Sequence, residues 1–188
     1  MKKTILILGD SFSADWSSKS KSLGWVNRLS FDYDVTNLSQ AGVSEYKIHL
    51  QLKSINPNDY DHIIVSHTSA YRIPIQEHPI HKGDSLHNNC DIIYADVVEH
   101  IEHPIMKTAY DFYCEIFNPD YFVFINELIF DKIYNTIPNA THITFFDSFY
   151  DDRVRKYENV FLQNKGNANH LNSVGNDFIY KEMKKLLK

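Results

Sequence analysis

The sequence predicts an α/β protein built on a parallel sheet. Two observations carry that expectation. Short β-branched apolar runs alternate along the chain with segments whose apolar residues recur at helical spacing. The first run, Thr4-Ile5-Leu6-Ile7-Leu8, is apolar almost throughout, as in a strand covered on both faces.

Taken in order, Thr4 to Leu8 is the first strand. Leu23 to Phe31 follows as a short helix, with Trp25, Val26 and Leu29 on one side. Val35 to Leu38 is a second strand and Val43 to Leu52 a second helix. His62-Ile63-Ile64-Val65, behind the turn Asn56-Pro57-Asn58-Asp59, is a third strand, so the first third reads βαβαβ. From about 73 to 103 the regularity lapses. That stretch holds Pro74, Pro79 and five of the ten histidines, and is expected to be a long loop or insertion with little regular structure. Helical spacing returns over Ile105 to Phe117 and Tyr121 to Ile137, with Pro119 at a first-turn position between them. His142 to Phe146 is a fourth strand. Val174 to Leu187 closes the chain as an amphipathic helix whose last turn carries Lys184 and Lys185. No repeat or linker divides the chain, so one domain over 1–188 is expected.

Bulk properties narrow the function classes. A chain of 188 residues with 43% hydrophobic and 23% charged residues has ordinary globular composition. A net charge of -5 and a pI near 6.0 lack the basic footprint of a nucleic-acid binder. Lys2-Lys3 and the following apolar run imitate a secretion signal, but Gly9-Asp10 ends the run short of the roughly 7–15 apolar residues such a signal needs. No run reaches the roughly 18 residues of a membrane span. A soluble, cytoplasmic protein is expected. Cys90 and Cys114 have no metal-ligand spacing; one disulfide or two free thiols both fit, and a reducing compartment favours the thiols.

Ligands of open parallel sheets gather at the carboxyl ends of the strands. There the first strand runs into Gly9-Asp10-Ser11, the second into Asn37-Leu38-Ser39-Gln40-Ala41-Gly42, and the third into Ser66-His67-Thr68-Ser69. A glycine permits a sharp turn. A serine ahead of a helix presents its hydroxyl to the helix's positive end. Asn167-Ala168-Asn169-His170-Leu171-Asn172, just before the last helix, supplies an imidazole that can act as a base. Each motif alone has a plain alternative in turn and cap chemistry.

Together, in this order, the motifs resemble those of the SGNH (GDSL-type) hydrolases. Gly9-Asp10-Ser11 is similar to the family's opening motif, Asn37-x-Ser39-x-x-Gly42 to its second, and Asn167-x-x-His170 followed by Gly175 to its terminal Asp-x-x-His motif. The resemblance implies a three-layer flavodoxin-like sandwich and serine-dependent hydrolysis of acetyl or acyl esters of a glycan, lipid or small metabolite, with no cofactor. In that reading Ser11 attacks, His170 is the base, and the N–H groups of Ser11 and Gly42 hold the oxyanion. Two departures stand out. Thr68 and Ser69 occupy the place of the family's Gly-x-Asn-Asp motif and offer only hydroxyls to the oxyanion. Asn167 stands where the family has the acid that orients the histidine. An Asn can still orient a His, so Asn167 is counted with Ser11 and His170 as a catalytic candidate, and Asp147, Asp151 or Asp152 are candidates for the missing charge. A catalytically reduced carbohydrate- or protein-binding module, or an O-acyltransferase using the same residues, are the alternatives.

Other features weigh less. Arg72 is either an anchor for an anionic substrate group or half of a surface salt bridge. Asp10 is expected to shape the serine turn. Trp16 and Trp25 are candidates for an acyl or sugar pocket, Trp25 more naturally core. His78, His81 and His87 match no familiar metal-site spacing, and no metal is expected.

Overall fold

The computed structural model describes residues 2–17, 23–83, 86–147, 151–166 and 170–187. Its centre is a five-stranded, all-parallel sheet: β1 (Thr4–Gly9), β2 (Asp34–Asn37), β3 (His62–His67), β4 (Thr141–Thr144) and β5 (Arg155–Lys156), in the order β2-β1-β3-β4-β5. That is the flavodoxin-like strand order, with its switch point between β1 and β3.

The uninterrupted apolar run of β1 is explained by two cores. Ile5 and Ile7 point to one face, where α1 (Trp25–Leu29) and α7 (Ser173–Leu186) bring Trp25, Val26, Leu29, Ile179 and Met183. Leu6 and Leu8 point to the other, packed by Ile48 and Leu52 of α2 (Glu45–Lys53) and Ile133 of α5 (Pro119–Thr136). Helices therefore cover both faces of the sheet, making a three-layer sandwich.

Helix starts follow local chemistry. α2 begins two residues later than the periodicity suggests, because the Ser44 side chain accepts the Lys47 N–H and caps it. α5 opens on Pro119 behind Asn118, which accepts the Tyr121 N–H. Among the described residues, no helix is long and apolar enough to cross a membrane.

The 73–103 stretch departs from expectation. Ile73 and Ile92 pair in an antiparallel bridge, and Tyr94–Glu99 forms α3, which packs on α4 (Pro104–Glu115). Ile92, Val97, Met106 and Ala109 make a small core of their own. The apolar residues that build it are too far apart in sequence to show a period. Also unforeseen are β5 and α6 (Glu158–Gln163), both too short to leave a periodic signal.

Candidate functional site

Ser11 lies in a single tight turn at the carboxyl end of β1. The Asp10 carbonyl accepts N–H bonds from Ser13 (3.1 Å) and Ala14 (3.0 Å), and the Asp10 side chain accepts the Phe12 N–H at 3.1 Å. Among the described residues no helix directly follows the turn, and α1 starts at Trp25. Gly9 is required here by contact. A Cβ on it would lie 2.7 Å from the Ser66 carbonyl oxygen of β3 and 2.6 Å from Ser13 Oγ.

Beneath the turn is a buried polar floor. Asp10 is wholly buried and pairs with Arg72 Nη2 at 3.1 Å, while Thr68 Oγ1 donates to the same carboxylate oxygen at 2.9 Å. Arg72 Nη1 donates to the Val43 carbonyl at 3.0 Å. Burial pushes the Asp10 carboxyl above its ordinary value, and the Arg72 charge and these hydrogen bonds pull against it. Asp10 thus shapes the turn as the sequence suggests. Two expectations need correcting. Arg72 is not a surface salt bridge: it is buried, with Nη2 on Asp10 and Nη1 on the Val43 carbonyl. The single Thr68 proton is given to Asp10, which leaves Ser69 as the one hydroxyl donor of this pair for an oxyanion.

The second motif is tied to the first. Asn37 Nδ2 donates to the Ser13 carbonyl (2.9 Å), Asn37 Oδ1 accepts the Ser39 N–H (3.0 Å), and the Ser13 hydroxyl donates to Ser39 Oγ (2.9 Å). Gln51 of α2 brackets Gly9, accepting its N–H at 2.8 Å and donating to its carbonyl at 3.1 Å. Gly42 has φ +76°, and its carbonyl accepts the Asp91 N–H at 3.0 Å. Ser69 Oγ accepts the Tyr71 N–H at 3.3 Å.

His170 arrives from the far end of the chain. Its carbonyl accepts the Gly166 N–H, and Asn172 Oδ1 caps α7 by accepting the N–H groups of Val174 (2.9 Å) and Gly175 (3.0 Å). The His170 ring lies 5.4 Å from Phe12 and 4.5 Å from Trp16 between centroids. Trp16 Nε1 donates to the Ser11 carbonyl at 2.7 Å, so one indole touches both Ser11 and His170. Trp25 is fully buried core, and its Nε1 donates to the Phe12 carbonyl at 2.8 Å, bracing the turn from below. Asn167 lies outside the described residues. Of the acids that could replace it, Asp151 bonds Arg153, and Asp147 and Asp152 are exposed.

Sequence reasoning missed a second polar knot at the end of β3. His67 Nδ1 meets Glu45 Oε1 at 2.6 Å, His67 Nε2 meets His142 Nδ1 at 2.8 Å, and Glu45 Oε2 accepts the Thr68 N–H at 3.3 Å. Where His67 Nδ1 donates to Glu45, His67 Nε2 accepts the proton of His142 Nδ1. Desolvation, helped by His67, holds the His142 imidazole down at about 3. The only advance sign was His67 at the end of an apolar strand.

No protein-family model matches the chain, and no curated protein matches it.

Proposed function

We propose that this protein is a serine-dependent hydrolase of carboxylic esters, with Ser11 as nucleophile and His170 as general base. One observation carries the reading: Trp16 bonds the Ser11 carbonyl and lies against the His170 ring, so the hydroxyl-bearing turn and an imidazole from the other end of the chain meet at the carboxyl edge of a parallel sheet.

In this mechanism Ser11 Oγ attacks the acyl carbon while His170 takes the hydroxyl proton. The tetrahedral oxyanion is held by the N–H groups of Ser11 and Gly42. Collapse breaks the ester C–O bond, and His170 returns the proton to the leaving alcohol. Water, deprotonated by His170, then attacks the acyl-enzyme and frees the acid and Ser11. Asp10, Arg72 and Thr68 position the turn without touching substrate. With the Thr68 hydroxyl given to Asp10, the side-chain donor falls to Ser69; where that hydroxyl does not reach the oxyanion, about 2.7–4 kcal/mol of transition-state stabilisation is forgone and turnover is slow.

The test is labelling with a fluorophosphonate, read as intact mass. Stoichiometric labelling of the wild type, lost in Ser11→Ala and in His170→Ala, supports the reading. A folded protein that takes up no label overturns it. The commitment of the Thr68 hydroxyl to Asp10 favours one second reading, a module of the same fold that binds a carbohydrate ester without turning it over.

A further inference from the structure

The histidines of the 73–103 stretch gather around a cysteine. His78, His81 and Cys90 each offer one donor atom, and these atoms all lie within 4.8 Å of one another. Asp96 of α3 stands beside them, its Oδ2 at 3.3 Å from His81 Nε2 and 3.7 Å from His78 Nε2. His78 is 1% exposed, and its Nε2 is a buried nitrogen with no hydrogen-bond partner. Its Nδ1 accepts the N–H groups of Ile80 and His81, both at 3.2 Å, which turns Nε2 towards Asp96.

We propose that His78, His81, Cys90 and Asp96 form a binding site for a divalent transition-metal ion, zinc above others. Two imidazoles, a thiolate and a carboxylate are a borderline donor set that suits zinc better than magnesium or calcium, which take oxygen. Spacing supports it as well. Zinc bonds of about 2.0–2.1 Å to nitrogen and oxygen give tetrahedral ligand separations of about 3.3–3.4 Å, close to the two Asp96 distances. The 3.7 Å separation is too long for a hydrogen bond but within easy reach of a tetrahedral edge. Cys90 and Asp96 together balance the ion's charge.

Binding displaces the Cys90 thiol proton, which burial otherwise holds up at about 12. It also moves the His78 ring proton to Nδ1 and opens the two contacts from Ile80 and His81, a change confined to that turn. The role is structural. All four ligands lie within 73–103, so the ion ties that stretch to itself, beside the loop after β2, where a Cβ on Gly42 would sit 2.5 Å from Cys90 Cβ and the Gly42 carbonyl accepts the Asp91 N–H. The proposal stands whether or not Ser11 is a nucleophile. Cys90 enters where spacing alone showed three histidines and no site.

The experiment is titration of the full chain, stripped of metal by a chelator, with cobalt(II) and then zinc. One cobalt per chain is expected, with an intense near-ultraviolet thiolate-to-metal band and the strong visible bands of tetrahedral coordination. Zinc should displace the cobalt and raise Tm. Cys90→Ser should abolish the thiolate band, His78→Ala should weaken binding by at least about tenfold, and Cys114→Ser should keep the band. A wild-type chain showing no saturable cobalt binding overturns the proposal without recourse to any variant. So does a thiolate band that survives Cys90→Ser or vanishes in Cys114→Ser.

Discussion

Asp10 and Asp91 are both fully buried, and each is tied to one cation and to backbone N–H donors, one for Asp10 and two for Asp91, yet they fasten different regions. Asp10, paired with Arg72, accepts the Phe12 N–H and fixes the serine turn at the sheet edge. Asp91, paired with Lys47 at 2.8 Å, accepts the N–H groups of Ser44 (2.7 Å) and Ile75 (2.9 Å) and fixes the 73–103 stretch against the start of α2. The cations differ in a way that matters. A guanidinium keeps its charge at any accessible pH, whereas a buried ammonium can shed its proton or swing out on a flexible stem. The serine turn is therefore held by a pair whose cation keeps its charge.

Removing each aspartate in turn breaks the comparison most sharply. Breaking a buried ion pair by deleting one partner costs about 3–5 kcal/mol. Asp10→Ala, which strands a permanent charge, should fall at the upper end of that range and abolish fluorophosphonate labelling. Asp91→Ala should fall at or below the lower end, because Lys47 retains the Asn89 carbonyl at 2.7 Å and the Cys90 carbonyl at 3.3 Å. Urea midpoints of the two variants check the order. Equal losses would mean that the cation's chemistry is irrelevant.

Gly42 is where the two regions touch. Its φ is +76°, and a Cβ added there would stand 2.5 Å from Cys90 Cβ, so Gly42→Ala is both strained and overpacked. Overpacking of this kind costs about 1–3 kcal/mol. If the loop is also the oxyanion donor, Gly42→Ala should slow labelling of Ser11 more than Asp91→Ala does. Unchanged labelling would separate the Gly42 N–H from the chemistry.

The third knot, Glu45–His67–His142, uses rings instead of a fixed cation, and that makes it sensitive to pH. An unfolded His142 takes up a proton near its ordinary value of about 6.5, whereas the buried ring resists until about 3. The folded state thus binds fewer protons than the unfolded one in that interval. The His142 contribution is complete above about 6.5 and is lost progressively as pH falls towards about 3. The urea midpoint should drop between pH 7 and pH 5, and drop less in His142→Gln, whose amide donates to His67 without titrating. His67, Asp151 and Arg153 face the same ring and remain in both proteins.

How far these regions could be read in the sequence depends on the range of their bonds. The Gly9-Asp10-Ser11 turn, Pro119 at a helix start, and Asn172 and Gly175 at α7 declare themselves because their partners lie within a few residues. The Asp10–Arg72 pair spans 62 residues and the His67–His142 contact 75, so no local pattern announces either. Arg72 read as a surface charge for that reason, and Thr68 as a free hydroxyl. The 73–103 stretch read as a loop because its core joins Ile92 and Val97 to Met106 and Ala109, residues with no common period.

The smallest expected effect concerns how His170 is held. Two supports act on it: the cap of α7, two residues downstream, and the packing of its ring on Trp16 and Phe12. Asn172→Ala removes a side chain that satisfies two orphan N–H groups, at a cost of about 1 kcal/mol. If Trp16 and Phe12 set the ring's position, labelling of Ser11 should persist at the wild-type rate in this slightly less stable protein. Trp16→Leu should do the reverse, slowing the label through loss of both the Ser11 carbonyl bond and the His170 contact. A labelling rate that follows Asn172 and ignores Trp16 would place the imidazole under the control of the helix instead, and the indole would become only a wall of the pocket.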